Sequence, residues 1–421
     1  MQTAYGDDYP GKRTKILILG AGNAQIDLIR YCKRMGMEVL GCSYSDFDPG
    51  IPLLDHFEQI NITDVPGVIA YAERESVDFI YSVGSDIAMP TAARAMDALE
   101  MPCLFPVWAA DVACEKGRMR TLLGKSQWNT PYKCFRKLEE IDDWTLFPAT
   151  IKPVDSQGQR GVSRVENAGE IPAAVEHALA FSRNGGMIIE KYINGPEVSV
   201  NLFLEKGEIT FLIITDRESF SEYPGGIIHR HYIPSRFTGT ETEPAILALA
   251  RDVARILHVT DGPMYFQIKI EDGKPRLIET SPRLDGCHLW RLIRSYCGAD
   301  LLEMTVRSLL KKDRLQRADD SVTIGPGGQD GREDLKEKEP YTDDSQRHDQ
   351  RAAAQEAAGK LPRMVLEFFC QAPGTVFRQS KYADLPASYI QMYYRDGEKV
   401  KAVNGYMEKC GCRIIREDEL Q

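Results

Sequence analysis

Apolar and polar positions follow a repeating order along the first hundred residues. A short apolar run, Lys15 to Leu19, precedes Gly20-Ala21-Gly22 and a segment whose apolar residues recur with the period of a helix. Further strand patterns follow at Glu38 to Ser43 and Val77 to Val83, separated by helical segments. Alternating strands and helices predict a doubly wound parallel sheet, because parallel strands need crossover connections. We expect this first domain to cover residues 14–112.

The next two hundred residues mix helical segments with strands bounded by Gly and Pro, which predicts an α+β domain over residues 113–310. Segments with a strand pattern are Ala149 to Val154, Met187 to Ile193, Val198 to Glu205, Ile209 to Thr215 and Pro263 to Ile270. Lys274 to Ser281 adds one more strand, and Asp272-Gly273 before it supplies a hairpin turn. The predicted fold class is therefore α/β plus α+β.

Residues 311–360 differ in composition from the rest of the chain. They contain ten basic and twelve acidic residues, and Tyr341 is their sole aromatic residue. So little apolar surface cannot offset the chain entropy lost on folding, so we predict a charged flexible linker or insertion. Strand patterns return at Arg363 to Gln371 and Tyr389 to Tyr394, and they predict a small β-rich C-terminal module over residues 361–421.

Composition and charge exclude several classes of function. The formal net charge is −10, whereas a nucleic-acid binder carries a basic patch or stripe. No apolar run approaches the ~18 residues of a membrane span, and the N-terminal segment lacks the apolar core of a secretory signal. We therefore expect a cytoplasmic protein without nucleic-acid or membrane partners. The ten scattered cysteines include no CxxC pair, which favours reduced thiols over disulfides or a zinc site.

Two glycine-rich turns are candidate anion sites. The first runs from Gly20 to Gln25 between a strand and a helix, where backbone N–H groups can bind an anion. A dinucleotide site needs Gly or Ala at the position of Gln25, so a structural turn is favoured over NAD binding.

The second turn, residues 155–161, follows a strand that carries Lys152. A lysine beside flexible backbone amides is one way to hold phosphates.

Oxygen-bearing side chains accumulate on the later strands. Glu190 and Glu197 flank an Asn-Gly-Pro turn, where a carboxylate and edge backbone groups can bind an adenine or a ribose. Gln267 lies on one strand and Glu279 on its hairpin partner, which brings their oxygen atoms near each other. Oxygen donors on rigid strands suit Mg²⁺, which binds one or two carboxylates plus substrate phosphates.

In this order and spacing, the motifs resemble the ATP-grasp superfamily over residues 14–310, in particular its carbamoyl phosphate synthetase and biotin carboxylase branch. The resemblance implies a Rossmann-like pre-ATP-grasp domain, a two-lobed ATP-grasp domain and a small C-terminal module. The nucleotide contacts that it implies are Lys116, Lys152, Ser156, Gly158, Gly161, Glu190, Lys191, Ile193 and Glu197. The implied ligands of Mg²⁺ or Mn²⁺ are Gln267, Glu279 and Ser281, with Arg283 beside them as the arginine that contacts phosphate. Ser281 replaces the family's common Asn, and serine is a poorer Mg²⁺ ligand than an amide carbonyl.

At 421 residues the chain is too short for a full carbamoyl phosphate synthetase, which carries two such halves, so we expect a stand-alone ligase. The resemblance implies that Glu279 and Arg283 are its catalytic residues. ATP phosphorylates a small-molecule carboxylate, ADP is released, and an amine then displaces phosphate from the acylphosphate. Candidates for binding the substrate carboxylate are His229, Arg230, His231, His288 and Arg291. A bicarbonate-dependent carboxylase of the biotin carboxylase type and a catalytically weakened ATP-binding regulatory protein stay open as alternatives. A homodimer is compatible with the resemblance.

Overall fold

The computed structural model describes residues 13–156, 160–223, 226–323, 361–402 and 407–420. Within these residues the strands form three sheets, one parallel and two antiparallel. The predicted fold class, α/β plus α+β, is confirmed. No helix in these ranges is both long enough and apolar enough to cross a membrane.

The N-terminal domain is built on a four-stranded parallel sheet. Its elements are β1 (Lys15–Leu19), α1 (Ile26–Arg34), β2 (Glu38–Cys42), β3 (His56–Glu58), α2 (Val65–Glu75), β4 (Phe79–Tyr81) and α3 (Met89–Ala98). The strand order is β3-β2-β1-β4. The apolar run of β1 is buried on both faces, as a central parallel strand requires. Leu17 and Leu19 pack against α2 and α3, while Ile16 and Ile18 join a core shared with the large sheet.

A smaller antiparallel sheet follows, in the order β5-β8-β6-β7. The elements of this part are α4 (Val107–Cys114), α5 (Lys116–Leu123), β5 (Tyr132–Phe135), β6 (Ala149–Pro153), β7 (Ser163–Val165), α6 (Ile171–Leu179) and β8 (Met187–Lys191). Helix α6 covers one face of the sheet and closes a separate small core with it. Strands β6 and β8 are paired side by side, which places Lys152 and Glu190 on neighbouring strands.

The large sheet has eight strands in the order β13-β12-β9-β10-β11-β14-β16-β15. Its elements are β9 (Glu197–Glu205), β10 (Glu208–Ser219), β11 (Ile228–Ile233), α7 (Glu243–Ile256), β12 (Gly262–Glu271), β13 (Lys274–Ser281), α8 (Leu289–Cys297), α9 (Leu301–Thr323), β14 (Met364–Gln371), β15 (Tyr389–Met392) and β16 (Glu408–Arg416). The predicted hairpin turn between β12 and β13 is confirmed. Asp272 and Gly273 have φ angles of 51° and 73°, which suit a tight turn between right-twisted strands.

Two features of the structure bear on the predicted domain organisation. Helix α9 continues to Thr323, past the expected domain boundary at residue 310. The rest of the expected linker, residues 324–360, lies outside the described residues. Strands β14, β15 and β16 pair with β11 in the large sheet and do not form a sheet of their own. The C-terminal strands therefore extend the sheet of the preceding domain, because β11 would otherwise leave an unpaired edge.

Candidate active site

One face of the large sheet carries a patch of polar side chains that the register brings together. Residues directly opposite each other on antiparallel strands have their side chains on the same face. The polar residues of this face form three rows across the strands: Glu279–Gln267–Ser199–Thr215, Ser281–Tyr265–Asn201 and Glu197–Arg217–His231. We call these residues the polar patch. Most of them are buried, so their polar atoms need partners.

Several of these buried atoms have no hydrogen-bond partner within the described part of the chain. They are Ser199 Oγ, Asn201 Nδ2, Arg217 Nε, Ser281 Oγ and both ring nitrogens of His231. A buried polar group without a partner costs free energy, and native proteins keep few of them. Their concentration on one face indicates a place that receives a polar ligand.

Lys152 is held in a buried chain of charges with Glu190 and Arg120. Its Nζ lies 2.6 Å from Glu190 Oε2, and Arg120 Nε donates to Glu190 Oε1 at 2.7 Å. Burial raises the pKa of the Glu190 carboxyl, but the two cations outweigh burial and bring this pKa down to about 2. Burial lowers the pKa of the Lys152 ammonium, and Glu190 opposes that effect. Two cations around one carboxylate leave a net positive charge at this position.

Lys116 is tied to the end of the strand that carries Lys152. Its Nζ donates to the backbone carbonyl of Ser156 at 2.5 Å, and its backbone N–H donates to the carbonyl of Val154. The first turn of α5 is therefore fixed against the start of the glycine-rich segment. Gly161 has a φ of +71° and lies against Pro153, so the chain turns sharply there. Gly158 lies outside the described residues.

The three predicted metal ligands lie close together on β12 and β13. Gln267 and Glu279 are direct neighbours in the register, and Ser281 lies two residues further along β13. Within the described residues the Glu279 carboxylate forms no hydrogen bond or ion pair, and Ser281 Oγ is buried without a partner. Gln267 Nε2 donates to Glu197 at 2.6 Å, which leaves its amide oxygen as the atom for a metal.

The donor set fits Mg²⁺ better than a transition metal. One carboxylate and two neutral oxygens match the oxygen ligands that Mg²⁺ takes beside substrate phosphates. No group of three or more His, Cys, Asp or Glu side chains that could hold a metal occurs in the described ranges.

Arg283 is buried and bound to the N-terminal domain. Its Nε and Nη2 both contact Asp86 Oδ1, at 2.7 and 2.5 Å, and its Nη1 donates to the carbonyl of Leu284. Asp86 follows β4 at the carboxyl edge of the parallel sheet. A cavity lies where the two domains meet here, and its lining includes Lys116, Glu279, Ser281 and Arg283. The structure thus brings four of the predicted phosphate and metal residues to one cavity, namely Lys116, Glu279, Ser281 and Arg283.

The remaining nucleotide candidates have partners of their own. The Lys191 ammonium binds Glu271 at 2.9 Å, and the backbone N–H of Lys191 donates to the carbonyl of Pro131. Ile193 is buried, and its carbonyl accepts from Lys269 at 3.2 Å. Glu197 is the acceptor for both Gln267 and Arg217. The Glu197 carboxylate therefore connects the predicted ribose position to the metal position.

The predicted stretch His229–His231 divides between two faces of β11. Successive strand residues point to opposite faces, so Arg230 and His231 cannot both face the polar patch. Arg230 donates twice to Glu367, and His229 Nε2 lies 3.5 Å from the same carboxylate. Both therefore have Glu367 as a partner in this structure, and their binding of substrate stays a prediction. His231 lies in the polar patch, and burial together with Arg217 and Lys409 lowers its pKa far below the ordinary value.

Arg291 and His288 surround a buried carboxylate of the N-terminal domain, Asp27. Arg291 donates to both Asp27 oxygens, and Trp290 Nε1 donates to Asp27 Oδ2 at 3.0 Å. The guanidinium of Arg291 is thus held by Asp27, and its binding of substrate stays a prediction. Burial raises the pKa of Asp27, but His288 and Arg291 reverse this and hold the pKa below its ordinary value. His288 Nδ1 is 3.7 Å from Asp27 Oδ2, too far for a hydrogen bond, and is otherwise without a partner among the described residues.

The glycine-rich turn of the N-terminal domain is filled by its own side chain. Gln25 Oε1 accepts from the N–H of Gly22 at 2.9 Å, and Gln25 Nε2 donates to the carbonyl of Val83. The side chain thus takes up an amide that a dinucleotide phosphate would need. This geometry supports the structural turn that the sequence favoured over NAD binding.

Sequence reasoning missed the residues that hold the site together. Arg120, Asp86, Asn201 and Arg217 carry no motif of their own. Arg120 had a usable signal, since it lies four residues after Lys116 and therefore on the same face of one helix. The sequence held no such signal for Arg217, because only the strand register places it beside His231.

Comparison with known proteins supports the motif assignment. Residues 145–289 match the model of the ATP-grasp domain. Formate-dependent phosphoribosylglycinamide formyltransferases of Mycolicibacterium gilvum and Cupriavidus metallidurans are 27% and 26% identical to this chain over 201 residues. These matches cover 46% of the chain and 50% of each relative. The chain therefore spans about half the length of the curated relatives it matches.

Solved structures match the fold over almost the whole chain. The L-amino acid ligase from Bacillus licheniformis has a TM-score of 0.70 at 18% identity, covering 96% of this chain and 93% of that one. The N5-carboxyaminoimidazole synthetase from Staphylococcus aureus, complexed with ADP, has a TM-score of 0.68 at 13% identity, covering 96% and 93%. The biotin carboxylase domain of the Hydrogenobacter thermophilus 2-oxoglutarate carboxylase has a TM-score of 0.67 at 14% identity, covering 96% and 86%. At these identities the likeness establishes the fold.

Proposed function

We propose that this chain, which contains an ATP-grasp domain, is an ATP-dependent ligase that joins a small-molecule carboxylate to an amine. The carboxylate is activated as an acylphosphate, and ADP and phosphate are released. The observation that carries the proposal is the small cavity at which Lys116, Glu279, Ser281 and Arg283 meet, with the unpartnered buried Oγ of Ser281 on its wall. Cations and oxygen ligands around one small space are what phosphoryl transfer needs, because catalysis there is positioning and charge neutralisation.

On the nucleotide side, Lys116 and Lys152 hold the phosphates of ATP. Lys116 is fixed by the carbonyl of Ser156, just after β6, and Lys152 by Glu190 on β8, so the cations are positioned before the nucleotide arrives. Glu190 keeps Lys152 oriented, and the backbone at residues 191–193 faces the adenine. Glu197 binds the ribose. Preorganised charges of this kind need no rearrangement at the moment of reaction.

Glu279, Gln267 and Ser281 would hold Mg²⁺, or Mn²⁺ in its place. When bound, the ion would supply positive charge that offsets the charge of the phosphates. Glu279 is the sole charged member of this set, and it has no competing partner among the described residues. We therefore assign it the largest share of metal binding.

On the substrate side, Arg217, Asn201 and His231 of the polar patch bind the carboxylate. Arg217 Nε and Asn201 Nδ2 are buried donors without partners in the described ranges, and neutral His231 can donate from one ring nitrogen. Arg283 lies over the ring of Tyr265 in this patch and lines one cavity with Lys116. It stabilises the acylphosphate, with Asp86 fixing its guanidinium. Gly286 lies against Gly84 of the N-terminal domain, so the loop after Arg283 has little freedom to move.

A bicarbonate-dependent carboxylase is the second candidate. The same buried donors could bind bicarbonate, and the similar biotin carboxylase domain of Hydrogenobacter thermophilus is described in complex with MgADP and bicarbonate. The two candidates share the nucleotide chemistry and differ in the compound that accepts the phosphoryl group.

The test is phosphate release from ATP by the purified protein in the presence of Mg²⁺. A panel of amino acids and small carboxylic acids is assayed with and without bicarbonate, because a ligase responds to a carboxylate–amine pair and a carboxylase to bicarbonate. Glu279→Gln should abolish the stimulated release, whereas Glu208→Gln, an exposed carboxylate of the same sheet, should not. Stimulation by no member of either class, with ATP binding intact, would contradict the proposal and favour a regulatory ATP-binding protein.

A further inference from the structure

Arg120 is a fully buried arginine on α5 that touches several elements at once. Its side chain is 0% exposed, and all its contacts are with other parts of the protein. Nε donates to Glu190 on β8 at 2.7 Å. Nη1 donates to the carbonyl of Leu277 on β13 at 2.7 Å and to Asn129 at 3.3 Å. An arginine so enclosed cannot reach a nucleotide, so any role in the reaction must pass through other residues.

The contacts of Arg120 lead to both halves of the proposed site. Through Glu190 it acts on Lys152, since the same carboxylate binds both cations. Through the carbonyls of Leu277 and Ile278 it holds β13 immediately before Glu279. It also lies one helical turn after Lys116, which begins the same helix. One side chain therefore joins the phosphate lysines to the strand that bears the metal carboxylate.

We propose that Arg120 is a positioning residue that orients Lys152 toward the ATP phosphates by holding Glu190, and that fixes the distance between Lys152 and Glu279. This inference rests on the proposed function. Without Arg120, Glu190 would have Lys152 as its remaining cationic partner and would draw the ammonium away from the nucleotide. The net charge of the group would also fall by one, which weakens the attraction for phosphate.

The guanidinium has a shape that lysine cannot replace. Its planar fork donates to Glu190 and to two carbonyls of β13 at the same time, whereas an ammonium is a single point charge on a flexible chain. Arg120→Lys keeps the charge and loses the fork. Arg120→Met loses both. Comparison of these two variants separates the effect of the Arg120 charge from the effect of the guanidinium geometry.

The experiment measures Mg²⁺–ATP affinity by calorimetry across a range of pH for the whole chain and its variants. Arg120→Met should weaken ATP binding by about 10- to 100-fold, the loss of one well-placed charged contact, and Arg120→Lys by less. Arg118→Met is the matched control, because Arg118 lies on the same helix, is 61% exposed and pairs with Glu115. The Arg118→Met variant should bind Mg²⁺–ATP with the affinity of the natural chain. Urea unfolding of each variant shows which of them retain the fold.

The pH profile distinguishes positioning from a general loss of structure. The charged groups that face Lys152 are Glu190, Arg120 and Lys116. Arg120 lowers the pKa of Lys152, so the decline of ATP affinity at high pH should move to higher pH in Arg120→Met and stay in place in Arg120→Lys. A uniform loss of affinity at every pH in both variants would overturn the proposal. So would unchanged affinity in Arg120→Met.

A readout without nucleotide keeps this inference separate from the proposed function. The pKa of Lys152 can be followed by NMR in protein labelled with carbon-13 at the lysine Cε, with Lys152→Met to assign the signal. Arg120→Met should raise this pKa in the nucleotide-free protein. If the natural chain binds no ATP, the proposed function fails, while a Lys152 pKa unmoved by Arg120→Met refutes the coupling itself.

Discussion

The buried pair of Lys152 and Glu190 allows ligand affinity and stability to be perturbed separately. Replacing Lys152 by Met removes a phosphate cation but leaves Glu190 paired with Arg120, so no buried charge is stranded. Replacing Glu190 by Gln leaves two buried cations beside each other without a carboxylate. The first change should therefore act mainly on ATP binding and the second mainly on folding.

The expected magnitudes follow from the contacts. Loss of one charge-assisted contact costs about 1.5–3 kcal/mol, so Lys152→Met should weaken ATP binding by about 10- to 150-fold. Breaking a buried ion pair by removing one partner costs about 3–5 kcal/mol, which Glu190→Gln should show as a loss of unfolding free energy. Lys133→Met is the control, since Lys133 lies on the same small sheet and pairs with Asp143 at the surface.

Calorimetric titration with Mg²⁺–ATP and urea unfolding provide the two measurements on the same preparations. Lys152→Met should lose affinity with little change in unfolding free energy, and Lys133→Met should change neither quantity appreciably. ATP affinity unaltered in Lys152→Met would refute the assignment of this lysine to the phosphates. A Glu190→Gln variant as stable as the natural chain would show that the carboxylate does not neutralise its neighbours.

Three further outcomes are expected from the other charged contacts. The folded-state pKa of Glu190 lies at about 2, below its ordinary value of 4.5. The Glu190 carboxylate therefore stabilises the fold above pH 4.5, and this contribution is lost as the pH falls towards 2. Urea unfolding measured against pH should show the decline in the natural chain and not in Glu190→Gln. His231→Phe should raise the KM for the carboxylate substrate and leave the KM for ATP unchanged, and an equal rise in both would place His231 outside the substrate site. Asp27→Asn should lower the unfolding free energy by about 1.5–3 kcal/mol, since it weakens the charge-assisted hydrogen bonds that Asp27 accepts from Trp290 and the half-buried Arg291; thermal unfolding without a lowered Tm would contradict this.

Much of the fold followed from local patterns. The strand β13 has the predicted bounds, Lys274–Ser281. An alternating segment that follows an Asp-Gly turn usually forms the second strand of a hairpin. The C-terminal strands were found as strands, but their place in the large sheet was not. Pairing between β11 and β14 joins residues more than a hundred positions apart, and no local pattern encodes such a pairing.

The residues of the candidate site also fall into two groups, those that local motifs indicated and those that only tertiary packing brings to the site. Lys152, Glu190 and Glu279 were identified because each belongs to a motif of neighbouring residues. The side chains that orient them were missed, because those contacts are set by tertiary packing. The motifs also did not separate the two faces of β11: Arg230 adjoins His231 in sequence, but strand alternation places it on the opposite face, beside Glu367.

The central claim is that ATP phosphorylates a carboxylate at the cavity between Lys116, Glu279 and Arg283. The most direct measurement uses the carboxylic acid found in the phosphate-release assay, labelled with oxygen-18 in its carboxyl group. If an acylphosphate forms and the amine displaces it, one labelled oxygen must leave with the phosphate, and ADP must be the nucleotide product. Mass spectrometry of the phosphate should therefore find one oxygen-18 per turnover, with Glu279→Gln releasing none. Unlabelled phosphate, or label in AMP with release of pyrophosphate, would contradict the mechanism.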